Sequence, residues 1–584
     1  MTRRTYRTLL SPLIFVLTIL IVVGCAAIPS DSSPRPLGTL GPQRMTTAVP
    51  RPESGMSPES LVRAFLKAGA DPESRHAAAR AFLTAGANAA WDDQGVATVL
   101  SDINVLSDNR TDRQLTVQIS GRTVGQLAPD GQLTAQSGTA STSVSLVRVG
   151  DDWRIDGTLP AGAIIDSSQF SVSYVTHNLY FPDPTGRVLV VDPRWLYVGS
   201  APMADELLTM LMQGPDQSLA DAVVNKFPAG ATLGRPVEPV NGGGVNIALT
   251  GMSSPVDDQR TQLVAQIVWT LNGAGISGPY QIEVNGLPID AQYSNGWRVS
   301  DLAQYNPIAT SDQAVGLHAL AGGAFVKVDD NGLTPIPGQF GTTRNLVSAQ
   351  LSPTGKQIAA VMQDGSGAAS QDLVVGPYGG DGVMVAQGAS MSPPSFGIDD
   401  YTVWVVIGGN DIRRTIVDGN GGPVRVDSID PSSIRGLISG PITELQLSPD
   451  ASRAALIVGG KIVLAVVNRR PDGSVAIGSA RLLAPAVNSS ALSLGWQTNT
   501  QLVVALDSAD EPVVAIGIDG SQPIALPTGN LTPPLRAVIA SPGTVYVADA
   551  RAILRLDYSA TQQDQYWTEV RGTAGTSAIP ILPN

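Results

Sequence analysis

The chain is short of the side chains on which most enzyme chemistry runs. Its 584 residues hold one cysteine, Cys25, and three histidines, His76, His177 and His318. A single cysteine excludes an intramolecular disulfide and any thiolate zinc cluster. Charged residues make up only 15% of the chain, with 37 Lys and Arg against 50 Asp and Glu, a formal charge of −13. Residues 1–24 carry Arg3, Arg4 and Arg7 and no acid, so without these three positive charges the remainder stands at −16. A surface that acidic repels a phosphate backbone, which argues against nucleic acid as a partner. What is plentiful is glycine (61), proline (43) and an apolar content of 43%. That composition buries cores and points to β-rich structure with many turns, not to disorder.

The N-terminus reads as an address. Three arginines precede Leu9 to Val23, LLSPLIFVLTILIVV. At about 15 residues this run falls short of the roughly 20 that span a bilayer, and a basic start with a short apolar run is the pattern of a secretion signal. It ends in Val22-Val23-Gly24-Cys25-Ala26, which resembles the bacterial lipobox. That resemblance implies removal of residues 1–24, an S-diacylglycerol on Cys25, and acylation of its new amine, palmitate included. An ordinary signal peptide and an uncleaved anchor are the other readings of the stretch. Residues 25–57 hold many prolines among Ser, Gly and Thr and read as a semi-extended tether.

A small α+β domain is expected over 58–165. Ser57-Pro58-Glu59 is a helix start, Leu61, Val62, Phe65 and Leu66 share one face, and Gly69 is the stop. A second helix is expected from Arg75 to Ala85, then strands, with a hairpin across Gly150-Asp151-Asp152. The order loosely resembles the NTF2-like/cystatin-like group. Over 172–300 the segments LYFPDPTGRVLVV, ELLTMLMQGP, FPAGATL and QIVWTLNGAGISGPYQIEVNG resemble the GerMN (sporulation and germination) domain, an α/β module for which the resemblance implies binding or assembly and no catalytic residues.

The stretch 310–584 contains an internal repeat. Leu351-Ser352-Pro353-Thr354-Gly355 and Leu447-Ser448-Pro449-Asp450 are its clearest markers, with looser ones at Ser395, Trp496 and Ser541. Hairpin signals fall between them at Asn331-Gly332, Asp381-Gly382, Asp418-Gly419, Asp472-Gly473 and Asp519-Gly520. Two marker sets sharing a period of about 45 residues indicate an all-β propeller. About six blades is the estimate; five or seven fit the same markers, and a β-sandwich is the competing architecture. Two rigid units, 58–300 and 310–584, are expected, with a protease-sensitive joint around Asn306 to Asp312.

Catalytic patterns are mostly missing. Gly273-Ala274-Gly275-Ile276-Ser277-Gly278 matches G-x-G-x-x-G, but a helical pattern precedes it and Pro279 with a strand follows, the reverse of a dinucleotide loop. No G-x-S-x-G nucleophile elbow occurs. The three histidines fall in three different domains, where structural roles are favoured over ligation. The pairs Asp151-Asp152, Asp257-Asp258, Asp329-Asp330 and Asp399-Asp400 are read as turns. Tyr401, Trp404, Trp496, Tyr546 and Trp567 are candidate anchors on a propeller face, with core placement favoured. No catalytic, cofactor or metal residue is nominated, and the chain is expected not to be an enzyme.

Lipobox, tether, α+β domain, GerMN module and propeller, in that order, resemble the LpqB-type lipoproteins of actinobacteria. The resemblance implies a protein held by lipid on the extracytoplasmic side of the cell membrane. It implies a role beside a membrane sensor histidine kinase, MtrB, through contact with that kinase's extracellular part. The role it implies is to modulate a two-component pathway for cell-wall homeostasis and division. The alternative is an envelope scaffold or wall-ligand binder without a signalling role.

Overall fold

The computed structural model describes residues 49–108, 113–199, 202–307, 315–364, 370–557 and 564–583. Cys25 and the lipobox residues Val22, Val23 and Gly24 lie outside the described residues, as does most of the expected joint at 306–312.

Ser57 caps the first helix, Pro58–Ala68, its side chain accepting from the Ser60 N–H at 3.2 Å. Leu61, Val62, Phe65 and Leu66 are buried, and Gly69 closes the last turn on Phe65. The helix expected at 75–85 is instead two pieces, Glu73–Arg80 and Ala85–Ala90, the second capped by Thr84. The break falls at residues 81–84, where Phe82 accepts from the Ile155 N–H at 3.0 Å and Thr84 donates to the Ile155 carbonyl at 2.8 Å, so this stretch is held against the sheet; within the first piece, Ser74, Arg75 and His76 lie in left-handed backbone at φ 50°, 60° and 52°. The helices pack on a sheet ordered Asp152–Asp156, Thr139–Val149, Gln114–Leu127, Ala97–Asp108 and Ile164–Asp166, with Leu133–Ala135 paired to Gln114–Leu127.

In the second domain the hairpin Tyr174–Pro182 and Leu189–Tyr197 turns at Gly186. Strands Val245–Thr250 and Tyr280–Val284 pair in parallel. Parallel neighbours need a crossover, and the helix Asp257–Gly273 supplies it. Every residue from Leu263 to Leu271 of that helix is buried. The Asp257-Asp258 pair, expected at a turn, forms the first turn of this helix, where carboxylates complement the helix dipole. The Gly273–Gly278 stretch links that helix to the Tyr280–Val284 strand and is no phosphate loop.

Among the described residues, six four-stranded antiparallel sheets follow, numbered here as blades 1 to 6. Blade 1 joins His318–Ala321, Ala324–Asp329 and Gly332–Pro335 to the last strand of the chain, Ile579–Ile581. Closing the ring with a strand from the far end of the sequence ties start to finish and covers an edge. The two marker sets hold fixed places. Leu351-Ser352 and Leu447-Ser448 sit where a blade's first strand turns into its second. There Ser352 Oγ accepts from the Gln357 N–H at 2.9 Å, and Ser448 Oγ from the Arg453 N–H at 3.0 Å. The five Asn-Gly and Asp-Gly signals all lie in the hairpin to a blade's edge strand.

The expectation of two separable rigid units is corrected. Residues 49 onward form one compact unit, because one hydrophobic core runs from Leu179, Leu207 and Val268 of the second domain into Ile457, Leu464 and Leu494 of blades 4 and 5. Where the chain leaves the second domain, Asn499 of blade 5 donates to the Pro307 carbonyl at 2.8 Å.

Candidate functional site

The described histidines do not converge. His318 is held between the Gly316 carbonyl at 2.8 Å and the Tyr378 hydroxyl at 3.0 Å. His177 lies within a strand, opposite Arg194. His76 lies in the first domain, against Trp91. Of the aromatic candidates, Trp404, Trp496 and Trp567 are core residues, whereas Tyr401 is 41% exposed. Asp400 is buried and accepts from the Thr354 backbone of the neighbouring blade. No group of His, Cys, Asp and Glu suited to a metal is found among the described residues.

The densest polar geometry is at the point where all three domains meet. Arg453 begins the second strand of blade 4, Arg453–Val458. Every other residue of that strand is apolar, so its guanidinium must leave the sheet. It donates to the Val191 carbonyl of the second domain at 2.6 Å. Beside it, Arg194 grips Asp192 with two bonds, 3.1 and 2.7 Å, and donates to the Asp130 carbonyl of the first domain at 2.9 Å. Burial pushes the Asp192 carboxyl up, against the pull of Arg194. Burial pushes the guanidinium of Arg453 down, and that of Arg481 down to about 10. Arg481 Nη1 has no hydrogen-bond partner and lies on a 30 Å³ cavity, room for a water.

The hairpin of blade 5 at Asp519-Gly520 is the second fastening. Asp519 accepts from Thr176 Oγ1 at 3.1 Å and, at its carbonyl, from Trp195 Nε1 at 2.9 Å. Gly520 lies at φ +80°, and a Cβ there would stand 2.2 Å from the Leu133 carbonyl of the first domain. Glycine is required on both counts. Sequence reasoning missed Arg453, Arg194 and Arg481; the one legible sign was a charge in the apolar strand RAALIV.

Two further surfaces are open. A 410 Å³ groove between the first domain and blade 5 is lined by Arg122 and by polar groups such as Thr123, Gln136, Asn488 and Gln522. On blades 2 and 3 the edge strands Val383–Gly388 and Pro423–Ile429 each pair on one side only. They expose Val383, Met384 at 55%, Val424 at 70% and Val426. No helix of the described residues is long and apolar enough to cross a membrane.

These features define a multidomain body in which an α+β domain and an α/β module are fastened to one side of a propeller. Comparison with known proteins gives its family. The chain is 41% identical over 580 residues to lipoprotein LpqB of Rhodococcus opacus (strain B4), covering 97% of each. It is 37% identical over 579 residues to lipoprotein LpqB of Mycobacterium tuberculosis (strain CDC 1551 / Oshkosh), covering 96% of this chain and 97% of that one. Family models match for the LpqB N-terminal domain at 51–171, for sporulation and spore germination at 178–290, and for the LpqB β-propeller domain at 323–583. The chain belongs to the LpqB lipoprotein family. Among solved structures, the β-propeller domain of Myceliophteria thermophila Cps50 (Swd1) aligns at a TM-score of 0.27 and 10% identity, over 38% of this chain and 70% of that one. The fold rests on this chain's own strand pairing and its family, not on that likeness.

Proposed function

We propose that this is an accessory lipoprotein, anchored through Cys25 on the extracytoplasmic face of the cell membrane. It binds the outer domain of a membrane sensor histidine kinase of the MtrB kind and modulates two-component signalling in cell-wall homeostasis and division. The observation that carries the reading is the apolar edge on blades 2 and 3. Half-paired strands exposing Met384, Val424 and Val426 are suited to a protein partner that adds a strand or covers the patch. The kinase enters through the family resemblance alone.

The action is by occupancy, without chemical turnover. A ligand shifts a two-state receptor only by its differential affinity for the two states, and anchoring both partners in one membrane raises their effective concentration. The test is a photo-crosslinking residue at Val424 or Met384 in the anchored protein, followed by identification of the partner. A sensor kinase's outer domain is expected. Unchanged pathway output on deletion of the whole protein, or the absence of any envelope sensor among the crosslinked species, refutes the reading. The polar groove of 410 Å³ favours a second reading, an envelope scaffold or wall-ligand binder. Under it, crosslinks concentrate at Gln136 and Gln522, and glycan is recovered in place of a kinase.

A further inference from the structure

Two hollows flank the Asp519-Gly520 hairpin of blade 5, and no residue of the apolar edge lines either. The 410 Å³ groove lies between this hairpin and the first domain, and a second hollow of 260 Å³ lies between it and the second domain. Ser521 and Gln522 line both and form the rim between them.

The polar lining is of one chemical kind. Gln136 of the first domain, Asn488 of the connection from blade 4 to blade 5, and Gln522 bring carboxamides to the larger hollow; Gln501 and Asn178 bring them to the smaller. The other polar positions are serines and threonines, apart from one charged residue in each hollow. Both charges are engaged. Arg122 pairs with Asp102 at 2.7 Å, and Asp519 accepts from Thr176 Oγ1 at 3.1 Å and from the Ser521 N–H at 3.0 Å. Among the described residues no aromatic ring lines either hollow, and the apolar lining of the larger is alanine, proline and Val124.

The carboxamides sit on fastened backbone. The Gln136 N–H donates to the Val124 carbonyl at 2.9 Å. Lys461 Nζ donates to the Val487 and Asn488 carbonyls at 3.1 and 3.5 Å. The turn that presents Asn488 begins at Ala484, in left-handed backbone at φ 53°, a strain that gathers at binding sites. Gly520, lodged against the Leu133 carbonyl, pins the rim. A site fixed before its ligand arrives loses less affinity to ordering.

A carboxamide sets an acceptor oxygen beside a two-donor nitrogen, the complement of two adjacent hydroxyls, one donating and one accepting. An anion meets no unengaged cation in these linings, on a chain of formal charge −13. A peptide finds no recess for a large side chain, and the hairpin of blade 5 covers the strand at Leu133.

We propose that a neutral oligosaccharide lies across the two hollows, with consecutive sugar units on either side of Ser521 and Gln522. The proposal deepens the wall-ligand reading and rests on it; it does not depend on a kinase partner.

The test uses the full chain in a detergent that carries no sugar, titrated with maltopentaose, cellopentaose and chitopentaose and followed by saturation-transfer NMR of the ligand protons. At least one is expected to bind in the millimolar range or tighter, and about tenfold more tightly than its own disaccharide, because only the longer chain spans both hollows. Pentagalacturonate, the anionic counterpart, is expected not to bind. Gln136→Ala and Gln522→Ala are each expected to weaken the pentaose about fivefold, the loss of one hydrogen-bonding group. Gln259→Ala, exposed on the helix Asp257–Gly273, is expected to change nothing. The proposal is overturned if the disaccharide binds as tightly as the pentaose, if a capped pentaglycine does, or if both glutamine variants leave the affinity unchanged. Pentagalacturonate bound in preference overturns it too, while leaving the wall-ligand reading in place; absence of binding by every carbohydrate overturns both. Should a glutamine variant lower the unfolding midpoint, the comparison of pentaose with disaccharide and pentagalacturonate on the unaltered protein decides by itself.

Discussion

Blades 2 and 4 carry the same turn, and they use the residue that follows it in opposite ways. In both, a serine Oγ accepts from the N–H five residues on, at Gln357 and at Arg453. The Gln357 amide then donates to the Gly419 carbonyl in the hairpin of the neighbouring blade at 2.7 Å. The Arg453 guanidinium, longer and charged, reaches out of the propeller to Val191. One position in a repeat therefore fastens blade to blade in one copy and domain to domain in another. The difference follows from reach and desolvation: glutamine pairs within the ring, whereas a buried guanidinium needs carbonyls and carboxylates on several sides. Blades 2 and 3, which receive no domain, keep exposed apolar edges; blades 4 and 5 share their core with the second domain.

Removing the longer arm is the most severe way to break this contrast. Arg453→Ala leaves the buried Val191 carbonyl without its charged donor, at a cost of about 3 kcal/mol. Gln357→Ala deletes one neutral bond and costs about 1 kcal/mol. Chemical denaturation of both variants checks the ratio. A second, earlier unfolding transition is expected only for Arg453→Ala, because only there does the junction open before the ring.

Gly520→Ala attacks the other fastening. The Cβ clashes with the Leu133 carbonyl, and the backbone lies where non-glycine residues are strained, together about 1–3 kcal/mol. Gly419→Ala, whose Cβ meets nothing within 4 Å and whose φ is not left-handed, is expected to stay within about 0.5 kcal/mol by the same measurement.

The ring also has a pH dependence of its own. Glu444, on the first strand of blade 4, is buried, and desolvation pushes its carboxyl up to about 8 despite bonds from Leu494, Gln446 and Ser493. The folded state thus holds a proton that the unfolded chain has released. Its stabilising effect is complete below the ordinary carboxylate range and is lost as pH rises from there to about 8. The slope is at most about 1.4 kcal/mol per pH unit. Unfolding midpoints across that window check it, and Glu444→Gln is expected to flatten the curve. The smallest effect belongs to the open edge. Val424→Lys is expected to change stability by no more than about 0.5 kcal/mol, yet to lower crosslinking to the partner; a loss of stability there means the edge is structural.

The parts of this protein legible in its sequence are those whose cause lies within a few residues. Ser57 caps a helix three residues away, Gly186 turns a hairpin, and Ser352 and Ser448 each bond five residues on. Because such chemistry is local and recurs in blades 2 and 4, with Asp-Gly and Asn-Gly hairpins between, the markers carried the period and the propeller. The failures have the opposite cause. The helix expected at 75–85 is broken where Phe82 and Thr84 exchange backbone bonds with Ile155, a partner far along the chain. Arg453 meets Val191 across 262 residues, and Thr176 meets Asp519 across 343. Nothing near either residue specifies such a partner, since burial of a charge is decided by what else the chain brings to the same place. The sequence by itself determined the modules and their order. Only the tertiary structure decided that they share one core, since desolvating a guanidinium is tolerable only where carbonyls and carboxylates from separate domains converge.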